Sequence, residues 1–275
     1  RSTVCPGTSQ CLHDHFKKHG HEVHLSFCPE RILQGYAIKE LKELPQVVSG
    51  FSKEAIGLSS ELFEKLGVEI IETSVEEAEM TKLFLNAWRY IQFATANQFY
   101  MIASDRGLNY DNIYHAMTHN YERGNALPKP GFAAGPCLFK DTMQLAAANR
   151  NQFFLGHAAM MVNEGLPAYV INRLLDEGVK LNGVKVGVLG MTFKADIDDI
   201  RDSLSYKLVK QLRFHSADVL CSDEYVKDPS FVPKEELLAQ CSIVIVGVPH
   251  KEYKTLSVPD GVRVVDLWNI LPGKT

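Results

Sequence analysis

The chain has 275 residues, 45% hydrophobic and 23% charged, with 29 basic against 33 acidic side chains and a net charge of −4. That length predicts about two domains, and the ordinary balance excludes a disordered chain or a collagen-like fibre. A mildly acidic chain has no global electrostatic footprint for nucleic acid, and no run approaches the ~18 apolar residues of a membrane span. Six cysteines (Cys5, Cys11, Cys28, Cys137, Cys221, Cys241) are scattered without framework spacing, so a reducing, cytoplasmic setting is expected. The chain opens on Arg1-Ser2-Thr3 rather than Met, and a piece of a longer protein is expected.

The first seventy residues alternate between short strands and helices. Residues 24–28, 47–50 and 68–71 read as strands, and 53–66 as a helix with Ala55, Leu58, Leu62 and Leu66 on one stripe. Such β/α alternation predicts half of a parallel sheet. From 74 to 106 the chain holds neither Gly nor Pro; Ser74 with Glu77 three residues on is a capping-box start, and Gly107 a stop. A helix of that length spans roughly 45–50 Å. Shorter helices are predicted over 110–120, 137–148 and 155–177, with a Gly/Pro-rich loop at 123–136. After Gly178 the alternation returns: strands at 184–190, 218–221, 242–248 and 262–267, and a helix at 203–214.

Three local patterns carry candidate chemistry. Lys82 and Asn86, one helical turn apart, share a face on which an ammonium and a carboxamide can both donate to one oxyanion. Cys137 and Asp141 share the face of a new helix turn, where the helix N-terminus and neighbouring Lys140 favour a thiolate. Gly187–Gly190 ends a strand in a glycine turn ahead of a helix, with Lys194 and Arg201 following, a weak phosphate signal that simple turn packing explains equally well. No GxGxxG fingerprint occurs in the chain. His13, His15, His19, His21 and His24 match no familiar metal-ligand spacing, so a solvated histidine-rich surface, and no metal, is expected.

Together these stretches resemble the nucleotide-sugar dehydrogenase family, the UDP-glucose and UDP-N-acetylhexosamine 6-dehydrogenase group. Ser2-Thr3-Val4 with Pro6-Gly7-Thr8 is similar to its STVxPGT segment, and Cys28-Pro29-Glu30-Arg31 to its (N/C)PER/F segment. Glu79, Lys82 and Asn86 match its central-helix E-x-x-K-x-x-x-N. Gly131-Phe132 through Cys137 and Lys140-Asp141 match its GFGGSCxxKD, and Gly190 to Lys194 with Asp199 and Arg201 its GxxFKxxxxDxR. The resemblance implies an NAD-dependent oxidoreductase that oxidises a UDP-sugar's primary alcohol twice, to a uronic acid for polysaccharide biosynthesis, through a thiohemiacetal and thioester on Cys137. Lys82 and Asn86 would stabilise the oxyanion, and Asp141, with a water held by Thr3 and Glu30, would handle protons.

Substrate would be held by Glu30, Lys82, Asn86, Arg123, Asn125, Lys129, Gly131, Phe132, Phe193 and Lys194, with Arg123 reaching a neighbouring subunit. NAD would be touched by Ser2, Thr3, Gln34, Lys140 and Arg201. The implied fold is α/β, with two Rossmann-like β/α units, the first incomplete, joined by a long central helix and an all-helical dimerisation domain. Residues 1–73 would be the C-terminal half of the NAD-binding domain, 74–180 the helical domain and 181–275 the UDP-binding domain. Met80, Leu83, Phe84, Ala87 and Ile91 are the expected homodimer face of the central helix. The chain departs from the family at Ala133, Ala134 and Pro136 in the cysteine loop, and at Trp268 where an arginine is common. The PER spelling favours a UDP-N-acetylhexosamine over UDP-glucose; the rival reading is a non-catalytic UDP-sugar-binding, dimerising remnant.

Overall fold

A computed structural model describes residues 1–133 and 135–272. The chain forms two compact units, Arg1–Trp88 with Lys140–Phe154, and Arg89–Phe139 with Leu155–Thr275. The architecture is mixed α/β with parallel pairing in both sheets.

The first unit opens with α1 (Thr8–Lys18), β1 (Ser26–Phe27), α2 (Ala37–Glu43), β2 (Gln46–Gly50), α3 (Lys53–Glu64) and β3 (Ile70–Glu72). Its sheet runs β1-β2-β3, with β2 and β3 parallel as expected. β1, however, pairs antiparallel to β2, Ser26 opposite Gly50, which corrects the all-parallel expectation. The strand is only two residues long and pairs at two positions on the sheet edge, where either direction is tolerated. Ser52 caps α3 by accepting from the Ala55 N–H at 3.1 Å.

The face α3 turns inward also differs from the predicted stripe. Ala55 and Phe63 are buried, whereas Leu58, Leu62 and Leu66 are exposed. Ala55 and Ile56 lie against Gly50 at the end of β2, and a helix that close to a strand needs a small residue at the contact. Periodicity names an apolar face; it does not say which of two overlapping faces meets the sheet.

α4 (Val75–Asp105) contributes residues to both units. Its start is a reciprocal capping box: Ser74 N–H donates to Glu77 at 2.8 Å, and Glu77 N–H to Ser74 Oγ at 3.3 Å. In the first unit Leu83 and Ala87 pack with Leu145 from α6 (Leu138–Ala148). Burial of those two side chains inside their own unit removes them from the expected dimer face; Phe84, Leu85 and Trp88 are the exposed apolar residues on that stretch.

The second unit adds α5 (Tyr110–Thr118), α7 (Phe154–Asp176), β4 (Lys185–Leu189), α8 (Leu204–Phe214), β5 (Asp218–Ser222), α9 (Lys234–Gln240), β6 (Ile243–Val246) and β7 (Arg263–Val265). Its four strands run β5-β4-β6-β7, all parallel. β4 and β6 are near-continuous apolar runs, as strands covered on both faces must be. One face packs Val186, Val188, Ile243 and Ile245 against Leu208, Leu212 and residues of α7. The other packs Leu189, Val244 and Val246 against Leu237, Leu238 and Tyr253.

Candidate functional site

In the first unit, Glu79 of α4 is buried and its carboxylate accepts from the N–H groups of Gly7 at 2.6 Å and Ser9 at 2.8 Å. It therefore supplies the N-terminal cap that α1 lacks, since Gly7 has no side chain to offer. The same helix carries Lys82, half-buried, and Asn86, buried. Asn86 Nδ2 donates to Asp141 Oδ2 at 2.5 Å, and the Lys140 ammonium lies 2.6 Å from Asp141 Oδ1. Asp141 is fully buried, and an amide and a cation both face its carboxyl group. Two motifs that are 55 residues apart in sequence thus meet in one hydrogen bond. Thr3 is half-buried, and Ser2 and Gln34 are exposed. Glu30 pairs with Arg1 at 2.5 Å and accepts from Ile32 N–H at 2.8 Å.

In the second unit, the loop between α5 and α6 holds the other set. Arg123, Asn125 and Lys129 are exposed, with the Arg123 guanidinium 5.2 Å over the Tyr121 ring. Gly131 is bolted in place: its N–H donates to Asn97 Oδ1 at 2.7 Å, and Asn97 Nδ2 donates to its carbonyl at 3.0 Å. Asn97 Nδ2 also donates to Asn163, whose amide donates to the Tyr90 carbonyl. Gly131 has φ +152°, and a Cβ there would lie 2.2 Å from the Trp268 ring. A Cβ on Gly135, φ +113°, would lie 2.7 Å from Phe193. Those two positions need glycine because an aromatic ring lies on each. Phe132 and Ala133 are buried, Phe132 within the main core, and Cys137 is exposed directly ahead of α6. Ala134 lies outside the described residues.

Trp268, at the arginine position, donates its indole N–H to the Gly247 carbonyl at 3.2 Å. Its backbone is held by Asp266, which accepts from the N–H groups of Trp268, Ile270 and Leu271. Burial pushes the Asp266 carboxyl above its ordinary value although those N–H groups oppose the shift.

Of the two readings the sequence leaves open for the 187–201 segment, the geometry favours turn packing. A Cβ on Gly187 would lie 2.2 Å from Leu237 of α9, so this glycine serves helix packing. The N–H groups of Met191 and Thr192, next after the turn, already donate to Asp223 Oδ2 at 2.6 and 3.2 Å. Nor does a helix follow at once: α8 begins only at Leu204, capped by Ser203. Lys194 is half-buried, and Arg201 is exposed and bidentate to Asp199, 2.7 Å at its shortest. Burial opposes the Asp223 charge, yet hydrogen bonds from His250, Met191 and Tyr225 hold its carboxyl below the ordinary value.

Sequence reasoning does not single out Asn97, Asn163, Asp223 or His250, and it places Glu79 in the central-helix motif without a role. One signal was available for Asp223: it directly follows the carboxyl end of β5, where parallel α/β sheets bind ligands. A cavity of about 330 Å³ in the second unit, lined by Tyr100, Tyr110, Tyr169, Arg173 and Arg263, contains none of the motif residues. Among the described residues no His/Cys/Asp/Glu group could hold a metal ion, and no helix is long and apolar enough to cross a membrane.

Residues 76–165 match the central domain of the UDP-glucose/GDP-mannose dehydrogenase family, and residues 187–273 match its UDP binding domain. The chain is 29% identical over 265 residues to a UDP-N-acetyl-D-mannosamine dehydrogenase of Methanocaldococcus jannaschii, covering 94% of this chain and 60% of that protein. It is 31% identical over 267 residues to the Methanococcus maripaludis protein of that name, with 94% and 61% covered. It thus spans about three-fifths of the length of these relatives. The structure of UDP-D-ManNAc dehydrogenase from Pyrococcus horikoshii superposes with a TM-score of 0.88 at 27% identity, over 99% of this chain and 69% of that one.

Proposed function

Because the chain belongs to the nucleotide-sugar dehydrogenase family, we propose that it forms part of an NAD-dependent UDP-sugar 6-dehydrogenase, with a UDP-N-acetylhexosamine as substrate. The relatives' names, UDP-N-acetyl-D-mannosamine dehydrogenase, support that substrate class over UDP-glucose. On this reading residues 1–73 belong to an NAD-binding domain, 74–180 to a helical dimerisation domain and 181–275 to a UDP-binding domain. The observation that carries the reading is the Asn86–Asp141–Lys140 cluster, which joins the central-helix motif to the cysteine-loop motif.

In this mechanism the Cys137 thiolate adds to C6 of the aldehyde formed in the first oxidation, giving a thiohemiacetal. Loss of hydride from that carbon gives a thioester, and water then attacks its carbonyl, releasing a uronate and the free thiol. NAD, held by Ser2, Thr3, Gln34, Lys140 and Arg201, would supply the hydride acceptor for both oxidations. Lys82 and Asn86 are assigned the oxyanion; the Asn86 carboxamide is pre-oriented because Asp141 accepts one of its protons. Asp141, fully buried beside a lysine, is assigned proton handling during hydrolysis, with Thr3 and Glu30 holding the water.

One end of the dinucleotide is assigned to polar and cationic side chains of this chain. Ser2, Thr3 and Gln34 match a carboxamide and ribose, and the exposed Lys140 and Arg201 cations match a pyrophosphate. The glycine-rich turn that receives the rest does not occur in this chain. Phe193, Lys194, Arg123, Asn125 and Lys129 are assigned to the UDP-sugar, and exposed Phe84, Leu85 and Trp88 to a homodimer contact. The same reading assigns the uronic acid product to polysaccharide biosynthesis and, from the scattered cysteines, the enzyme to the cytoplasm.

The test is NADH formation by the full-length enzyme against a panel of UDP-sugars. Cys137→Ser is expected to cut uronate formation by roughly a thousandfold or more while leaving substrate binding within about threefold. Near-normal uronate output from that variant removes Cys137 from the chemistry, and oxidation of UDP-glucose alone overturns the substrate assignment.

A further inference from the structure

Two buried ionisable side chains in the second unit have no part in the chemistry above. Asp223 directly follows β5 and His250 lies beyond the end of β6; neither side chain has any exposure. Asp223 Oδ2 accepts from the N–H groups of Met191 at 2.6 Å and Thr192 at 3.2 Å, and from His250 Nε2 at 3.1 Å. Its Oδ1 accepts from the N–H groups of Tyr225 and Val226, so the whole carboxylate is occupied. His250 Nδ1 accepts from the Asp196 N–H at 3.0 Å, which leaves the ring proton on Nε2, pointed at Asp223. The pair therefore grips the backbone at 191, 192 and 196. Between the grips lie Phe193, packed on Gly135 two residues before Cys137, and Lys194.

This stretch has no repeating hydrogen bonds of its own; one backbone bond, from the Phe193 N–H to the Asp199 carbonyl at 3.0 Å, ties it to the following loop. Asp196 has φ +60° and caps a turn that is neither helix nor strand. Polar side chains reinforce it: Thr192 Oγ1 donates to the Lys194 carbonyl at 2.8 Å, and Ser203 Oγ to the Thr192 carbonyl at 2.9 Å. Burying an acid and an imidazole is costly unless every polar atom is matched, and here each one is. A purely apolar anchor would fill the same space but could not bind three N–H groups at set positions.

We propose that Asp223 and His250 are positioning residues for the UDP-sugar site, presetting the 191–196 turn so that Lys194 meets the nucleotide without reordering. The inference rests on the assignment of Lys194 to the UDP-sugar. Pre-organisation of this kind shows as affinity, because the ordering cost is met on folding rather than on binding.

The experiment uses UDP as probe, with calorimetry for affinity and amide hydrogen exchange for the turn. In the unliganded wild-type chain the amides of Met191, Thr192 and Asp196 are expected to exchange slowly. Fast exchange that slows only when UDP is added means the ligand orders the turn, and overturns the proposal without any variant. His250→Ala is expected to speed those amides and weaken UDP by roughly tenfold, about 1.4 kcal/mol. His250→Gln, with one acceptor and one donor, recovers most of both. Lys194→Ala separates the two readings. If it leaves UDP affinity unchanged, the Lys194 assignment fails and the positioning role with it. If Lys194→Ala weakens UDP while folded His250→Ala binds normally, the positioning role alone is wrong.

Discussion

The two sheets of this protein grow from the same alternating β/α pattern and end in different degrees of enclosure. In the N-terminal sheet the central strand β2 is flanked by a two-residue antiparallel strand and by β3, whose Ile71 and Glu72 are exposed. Its two faces bury small clusters, Phe27, Val47 and Ala78 on one and Cys28, Val48 and Phe63 on the other. In the C-terminal sheet both central strands are buried along nearly their whole length, with helices on either side. Burial of a strand on both faces, rather than the strand count, sets how much apolar area each hydrogen-bonded rung brings out of water. The C-terminal sheet is accordingly the rigid platform, and the turns at the carboxyl ends of its strands inherit that rigidity.

The largest test of this contrast is a pair of truncations. Leu208→Ala, in the fully buried face of α8, is expected to lower unfolding free energy by about 2–5 kcal/mol. Ile71→Ala, on the half-exposed β3, should cost below about 1 kcal/mol. Equal shifts of the urea midpoint would erase the distinction between the sheets.

UDP offers a ligand version of the same comparison. At a hundredfold excess over its Kd it should stabilise the C-terminal unit by about 2.7 kcal/mol, slowing exchange in β4 and β6. NAD at the same concentration should leave that region unchanged, because the chain holds no GxGxxG turn. Protection that appears first in β2 would place the nucleotide in the wrong sheet.

Gly187→Ala should cost about 1–3 kcal/mol, since its Cβ would meet Leu237 across the sheet–helix contact. Adding Leu237→Val should return part of that loss; a neutral Gly187→Ala would show that α9 packs more loosely on β4.

The smallest effect expected is on pH. Burial pushes the Cys221 and Cys241 thiols up to about 11, so both stay protonated in the folded chain well above the ordinary thiol range. Their contribution is fully present below the unfolded thiol value of about 8.5 and is lost as pH rises towards 11. On the acid side, Asp223 is held below its ordinary value, so its contribution is present above about pH 4 and lost as pH falls through the folded value. Thiol labelling reads the alkaline limb directly: exposed Cys5, Cys11 and Cys137 should react in the native state, and Cys221 and Cys241 only after unfolding. Early labelling of the last two would mean the C-terminal sheet opens locally.

Much of the fold was legible because its signals are local. The capping box at Ser74 and Glu77 starts α4 within one residue of its expected place, and the apolar run at 184–190 brackets β4. The helices α1, α2 and α9 carried no such punctuation and were not anticipated; α1 is capped by a carboxylate 70 residues away. On α3 the periodic stripe holds only at Ala55, which lies against Gly50; Phe63 rather than Leu58 or Leu62 completes the buried face, a choice set by contact with the sheet.

For the candidate site, the sequence by itself determined the residue types and their spacing along single helices: Lys82 with Asn86, and Cys137 ahead of Lys140 and Asp141. Spacing of one helical turn is a property of the backbone and needs no partner. Only the tertiary structure decided what those groups touch. Asn86 bonds to Asp141, Asn97 clamps Gly131, Trp268 and Phe193 cover Gly131 and Gly135, and Asp223 occupies the N–H groups of a turn that reads as a phosphate cradle. Hydrogen bonds and close packing act over about 3–4 Å, and the residues they join here lie tens of positions apart along the chain, a relation that no local pattern encodes.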